Sequence, residues 1–146
     1  ENGMEMMKVG LRPPIVHAAT GLCRNRLRRM YQEIHGKPAV QGRVSKYAYN
    51  RLKTKSQVME ATGYYQVYHR LGGEQIFRGV DPVLFITAYQ SYKGCSRCGI
   101  DGTTAWLIAR DLRENYLTPR RCEACGREYL YTPRSDLMNS CPLCAG

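Results

Sequence analysis

The chain has 146 residues, about one domain's length, and its 43% hydrophobic and 23% charged content excludes wholesale disorder. Its formal charge is +10 and its isoelectric point about 9.5, which, where localised, is the footprint of a polyanion binder. The longest mostly apolar run, Pro82 to Tyr89, is far short of the ~20 residues of a membrane span, and no charged-then-apolar leader opens ENGMEMMKVGLRPP.

Along the chain, Pro13-Pro14 are expected to stop any helix begun in the Met-rich opening. A helix is predicted from Leu22 to His35, closed by Gly36 and Pro38, with Leu27, Met30, Tyr31 and Ile34 forming one apolar stripe. Residues 36–55 read as a loop with short helical turns. A second helix is predicted from about Ser56 to Arg70, with Val58, Ala61, Tyr65 and Tyr68 inward. A third starts at Asp81 as N-cap with Pro82 at the first helical position, and Gly94 closes it. A fourth runs from about Thr104 to Tyr116, with Ala105, Ile108, Ala109 and Leu112 on one face. GREYLYT, further on, suits a short strand. The fold class is therefore mainly α: a helical domain over 1–117, then a small C-terminal four-cysteine zinc ribbon over 118–146.

The charge is localised. Residues 12–55 hold eleven basic side chains and one acid, Glu33, and so carry the whole net charge. Arg24 and Arg28 flank the apolar stripe of the first predicted helix, while Arg26 and Arg29 lie on its far side. That distribution predicts a nucleic-acid surface built from Arg24, Arg26, Arg28, Arg29, Arg43, Lys46, Arg51, Lys53 and Lys55, with membrane-surface binding the weaker rival because the segment lacks a strongly amphipathic helix with bulky anchors. Arg120, Arg121 and Arg127 of the ribbon form a second contact. Tyr47 and Tyr49 stand among these cations. They can stack on bases, although plugging the edge of the core is the commoner role of such residues.

Six of the seven cysteines stand in C-x-x-C pairs, which in a chain without a secretory leader point to metal or redox sites in a reducing, cytoplasmic setting. Cys122, Cys125, Cys141 and Cys144 have the spacing C-x2-C-x15-C-x2-C, a strong signal for one structural Zn2+. Four thiolates close the coordination shell and leave no position for substrate. Cys95 and Cys98 form a third pair. It is a reduced pair, a weak second site, or a competing partner for Cys122 and Cys125. Cys23 reads as a small packing residue, and His17, His35 and His69 as surface or cap residues. No open ligand set, phosphate loop or G-x-S-x-G is present, so an enzyme is not expected.

Residues 10–43, GLRPPIVHAATGLCRNRLRRMYQEIHGKPAVQGR, resemble the signature of the FlhC family, a subunit of the bacterial flagellar master transcriptional activator. Gly10, Arg12, Thr20, Leu22, Arg24, Arg26, Leu27, Tyr31, Glu33, Gly36, Pro38 and Gly42 carry the likeness. Val80-Asp81, Ala88-Tyr89 and Ala105-Trp106 extend it, and CEAC and CPLC occupy the place of the family's zinc site. The resemblance implies a mainly helical DNA-binding activator subunit that joins an FlhD-like partner in a hetero-oligomer and recruits RNA polymerase. YAYNRLKTKSQVMEATGYY replaces a Trp- and Phe-rich stretch of flagellar members. In this the chain is similar to the AcaC and SetC activators of conjugative plasmids and integrative elements, so its targets are expected to be conjugative-transfer or flagellar genes. The rival reading from ribbon and charge alone is an RNA- or RNA-polymerase-binding zinc-ribbon protein. The apolar faces of the third and fourth helices are expected to exceed what one small core covers and to offer part of their surface to the partner.

Overall fold

The computed structural model describes residues 2–8, 10–38, 46–95 and 99–144. Six α-helices precede a two-stranded antiparallel hairpin among them. Helix α1 is Asn2–Lys8 and α2 is Pro13–Thr20. The proline pair does more than stop a helix: it opens α2, because the first turn has no intrahelical acceptor for the N–H that proline lacks. Gly21 ends α2 at φ 77°, a conformation glycine adopts without strain. Helix α3, Arg24–His35, starts two residues later than expected and closes on Gly36. Cys23 is its N-cap residue and is exposed, not packed.

Helix α3 rests on α1 and α2, and α1 ties the three to the rest of the body through α5. Leu27 and Tyr31 are buried, and Met30 and Ile34 pack partly against the core. His35 donates to the Met7 carbonyl at 2.7 Å, and His17 to Leu22 at 2.6 Å, so two of the three histidines hold the backbone of this corner.

Ala48–Arg51 form a 3-10 turn that leads into α4, Lys55–Gly72. Thr54 and Gln57 make a reciprocal capping box at its start. A second 3-10 turn, Gly73–Phe77, follows, then α5, Pro82–Cys95, and α6, Gly102–Arg113. Val58, Ala61, Tyr64, Tyr65 and Tyr68 of α4 face inward, as do Ala105, Ile108, Ala109 and Leu112 of α6. The third and fourth predicted helices cover most of their own apolar surface: Phe85, Ile86, Ala88, Tyr89, Tyr92 and Leu107 are all buried. Val83 and Tyr116 are their exposed large apolar residues, fewer than the expected partner surface, because α4 packs along α5.

Helix α6 ends before Tyr116; Asn115 turns the chain at φ 66°. Strands β1, Thr118–Arg121, and β2, Glu128–Tyr131, then pair with Thr118 opposite Tyr131 and Arg120 opposite Tyr129. The expected strand is β2. β1 was hidden by Pro119, which an edge strand tolerates. The hairpin is not free-standing. Leu130 and Met138 join the same apolar cluster as Met6, Met7 and Leu11 at the other end of the chain. Tyr65 of α4 also donates to Glu128 at 2.9 Å.

Candidate metal centre and nucleic-acid interface

The four cysteines of the C-terminal motif converge. Their sulfurs all lie within 4.8 Å of one another, with Cys122 to Cys144 at 3.2 Å and Cys125 to Cys141 at 3.7 Å. A tetrahedral zinc with Zn–S bonds of ~2.3 Å sets S···S distances near ~3.8 Å, so the donor set fits one ion. The local backbone explains the convergence. Gly126 sits at φ 75° and donates to the Cys122 carbonyl at 2.8 Å, while Cys122 donates to the Arg127 carbonyl at 2.8 Å. This tight knuckle aims both sulfurs inward and directs the Cys125 N–H to the Cys122 sulfur.

That N–H, together with the Cys144 thiol, holds the Cys122 thiol down to about 6. The same contact pushes Cys144 upward, as the partner that keeps its proton. A divalent cation is what lets all four sulfurs ionise together, and it would also cross-link the two knuckles. Cys98 and the side chain of Cys95 lie outside the described residues. Among the described residues, Cys122 and Cys125 gather with Cys141 and Cys144.

The predicted DNA-binding cations fall on different elements and differ in what they touch. Arg24, Arg26, Arg28 and Arg29 are exposed on α3, and none forms an ion pair among the described residues. Arg43 lies outside the described residues. Arg51 is half-buried, and its guanidinium donates to Asp101 at 2.8 Å and to Thr104 at 2.9 Å. Asp101 in turn caps α6 through the Thr104 N–H at 2.8 Å. Burial opposes ionisation of Asp101, but the Thr104 and Arg51 hydrogen bonds outweigh it and hold the carboxyl below its ordinary value. Lys46, Lys53 and Lys55 are exposed. The Lys53 backbone N–H donates to Gln57 at 2.7 Å, which places its side chain at the mouth of α4.

Segment 46–51 is fastened to α6. Asp111, 1% exposed, accepts from the Ala48 N–H at 2.8 Å and from Arg110 at 2.9 Å. Arg110 also donates to the Lys46 carbonyl. Burial pushes the Asp111 carboxyl up, against the pull of Ala48 and Arg110. Tyr47 stacks on Tyr49 at 5.6 Å, and Tyr49 packs against the core.

On the hairpin, Arg120 lies over the Tyr131 ring at 3.5 Å, Arg121 donates to the Gly126 carbonyl at 2.8 Å, and Arg127 is exposed. Arg134 carries no signal legible in the sequence. Its guanidinium sits over Tyr47 at 4.8 Å and Tyr116 at 5.4 Å, joining the loop after β2 to segment 46–51. It stands outside both the basic run and the cysteine knuckles, so neither the charge count nor the motif could single it out.

The family described as "Flagellar transcriptional activator (FlhC)" matches residues 1–146. The flagellar transcriptional regulator FlhC of Xenorhabdus nematophila is 29% identical over 150 residues, covering 97% of this chain and 75% of that protein. That of Sodalis glossinidius is 30% identical over 135 residues, covering 87% of this chain and 66% of that protein. That of Yersinia enterocolitica is 28% identical, with coverage of 97% and 75%. No described helix is long and apolar enough to cross a membrane.

Proposed function

The chain belongs to the FlhC family of flagellar transcriptional activators, and on that premise we propose that it is the DNA-contacting subunit of a transcriptional activator. In this reading residues 1–117 supply the DNA and partner contacts, and 118–146 are a ribbon held by one structural zinc ion on Cys122, Cys125, Cys141 and Cys144. An FlhD-like subunit completes a hetero-oligomer that brings RNA polymerase to flagellar or conjugative-transfer promoters. Partner and polymerase come from the family; the DNA contact has support from the molecule itself.

That support is α3. It docks through Leu27 and Tyr31 and leaves Arg24, Arg26, Arg28 and Arg29 exposed without a carboxylate partner among the described residues. Four guanidinium groups on one rigid helix suit phosphate oxygens, and their planar fork also matches the two acceptors of a guanine edge. The test is a gel shift of the zinc-loaded chain, with and without a co-expressed FlhD-like protein, on duplex DNA and on RNA of the same sequence. The expected result is a salt-sensitive shift of duplex DNA, tightened by the partner. A shift of RNA alone would replace this reading with that of an RNA-binding ribbon protein.

A further inference from the structure

One face of the hairpin carries a ring–cation pair, Arg120 on Tyr131, and the chain flanking the hairpin joins segment 46–49 in a second ring–cation group, Tyr116, Arg134, Tyr47 and Lys46. Residues opposite each other in an antiparallel pair share a face, so Thr118, Arg120, Tyr129 and Tyr131 lie on one side of the hairpin. Leu130, on the other side, is fully buried in the core. Arg120 covers the Tyr131 ring at 3.5 Å. Tyr116, 41% exposed, lies two residues before Thr118 and receives Arg134 at 5.4 Å. Arg134 reaches on to Tyr47 at 4.8 Å, and Lys46 covers that ring at 5.4 Å. A hydrogen bond between Arg134 and the Tyr47 hydroxyl favours the phenolate and holds that phenol below its usual value.

Among the described residues, none of Lys46, Arg120 and Arg134 forms an ion pair. Two acids of this region are engaged elsewhere: Asp111 is buried against Arg110 and the Ala48 N–H, and Glu128 accepts from Tyr65. A guanidinium laid over a ring keeps its in-plane N–H groups pointing outward, and arginine has five of them. The ring fixes the cation's position before any ligand arrives.

We infer that Lys46, Arg120 and Arg134, seated on Tyr47, Tyr116 and Tyr131, form a second, preorganised contact for the phosphate backbone of duplex DNA. This rests on the reading of the chain as a DNA-binding subunit. Duplex rather than single-stranded nucleic acid follows from how the rings are used. Stacking platforms for unpaired bases need free ring faces. Here Tyr47 is stacked on Tyr49, meets the edge of Tyr116 at 5.0 Å, and lies under Arg134, while Tyr131 lies under Arg120. What the surface offers outward is charge in a fixed pattern, which is what a phosphate backbone reads.

The test is the salt dependence of binding to a mixed-sequence duplex, measured on the full chain for Arg120→Gln, Arg134→Gln, the double variant and Arg134→Lys. Each Gln variant is expected to reduce the slope of log affinity against log salt by about one, and the double variant by about two. Arg134→Lys keeps the charge and should keep the slope. Zinc content and melting temperature, measured alongside, show whether Arg134→Gln disturbs the hairpin. If it does, Arg120→Gln decides, because Arg120 is exposed and is seated on Tyr131 within the hairpin, away from the Tyr47–Arg134 contact. A double variant with the unaltered slope overturns the inference while an α3 variant with a reduced slope leaves the DNA reading standing. Loss of single-stranded RNA binding with duplex binding intact also overturns it. A parent chain that binds no duplex overturns the DNA reading itself.

Discussion

Helix α3 and segment 46–55 each carry four cationic side chains and differ in the folded chain. On α3, a buried stripe of Leu27 and Tyr31 leaves four arginines exposed, with no ion pair to any of them among the described residues. In segment 46–55, Arg51 is spent on Asp101 and Thr104, and the backbone of Lys46 and Ala48 is tied to Arg110 and Asp111. One stretch presents its charge and the other uses part of it to fasten the chain to α6. Net charge in a sequence therefore counts candidates for a polyanion surface; only the ion pairs reveal how many remain available.

The largest expected effect falls on the second stretch and bypasses the first. Cys125→Ser, or a chelator, should remove the ion, and with it a binding free energy of the order of the ~10–16 kcal/mol found for structural zinc in zinc-finger peptides. Hydrogen exchange should then rise across 118–144 and also at 46–51, which loses Arg134. Residues 24–35 should keep their protection, because α3 packs on α1 and α2. Equal loss at α3 would erase the distinction. Next, Asp111→Ala strips the acceptor from the Ala48 N–H and from Arg110. The unfolding free energy from denaturant titration should drop by about 2–4 kcal/mol, since the carboxylate is buried while Arg110 retains some water.

Smaller and more pointed is the pair Arg51→Gln and Arg28→Gln. Arg51 faces a carboxylate whose side chain is 59% exposed, so its loss should cost about 1 kcal/mol or less of stability and leave the salt slope of DNA binding alone. Arg28→Gln should do the reverse: unchanged melting and a slope smaller by about one. The smallest effect is on the acid limb of stability. Asp101 ionises more readily when folded than when unfolded. Its contribution is therefore present above the ordinary carboxylate range near ~3.9 and is lost as pH falls through its lower folded value. Asp101→Asn should flatten that limb in an acid titration of the melting temperature.

How much of this was legible in the sequence depends on the range of the forces involved. Helix α5 was readable because Asp81-Pro82 is a local start signal, and the faces of α4 and α6 because apolar periodicity is local too. The cysteine cluster was readable since four ligands at fixed spacing have one economical arrangement. Helix α2 was missed because a proline pair reads equally as an end and a start. The Arg51–Asp101 bond and the seat of Arg134 on Tyr47 join residues far apart in sequence. No local pattern encodes such pairs, so sequence reasoning puts Arg51 on the DNA surface and passes over Arg134.

The central claim is that α3 presents the charge that meets DNA. Its most direct measurement is a salt-titrated binding isotherm for the chain carrying Arg24→Gln, Arg26→Gln, Arg28→Gln and Arg29→Gln together, compared with the parent on one duplex. Intact zinc content and melting temperature are expected, with a slope smaller by about two to four, since each lost phosphate contact removes about one. An isotherm that overlays the parent's at every salt concentration would contradict it, and α3 would then be no more than a solvated face.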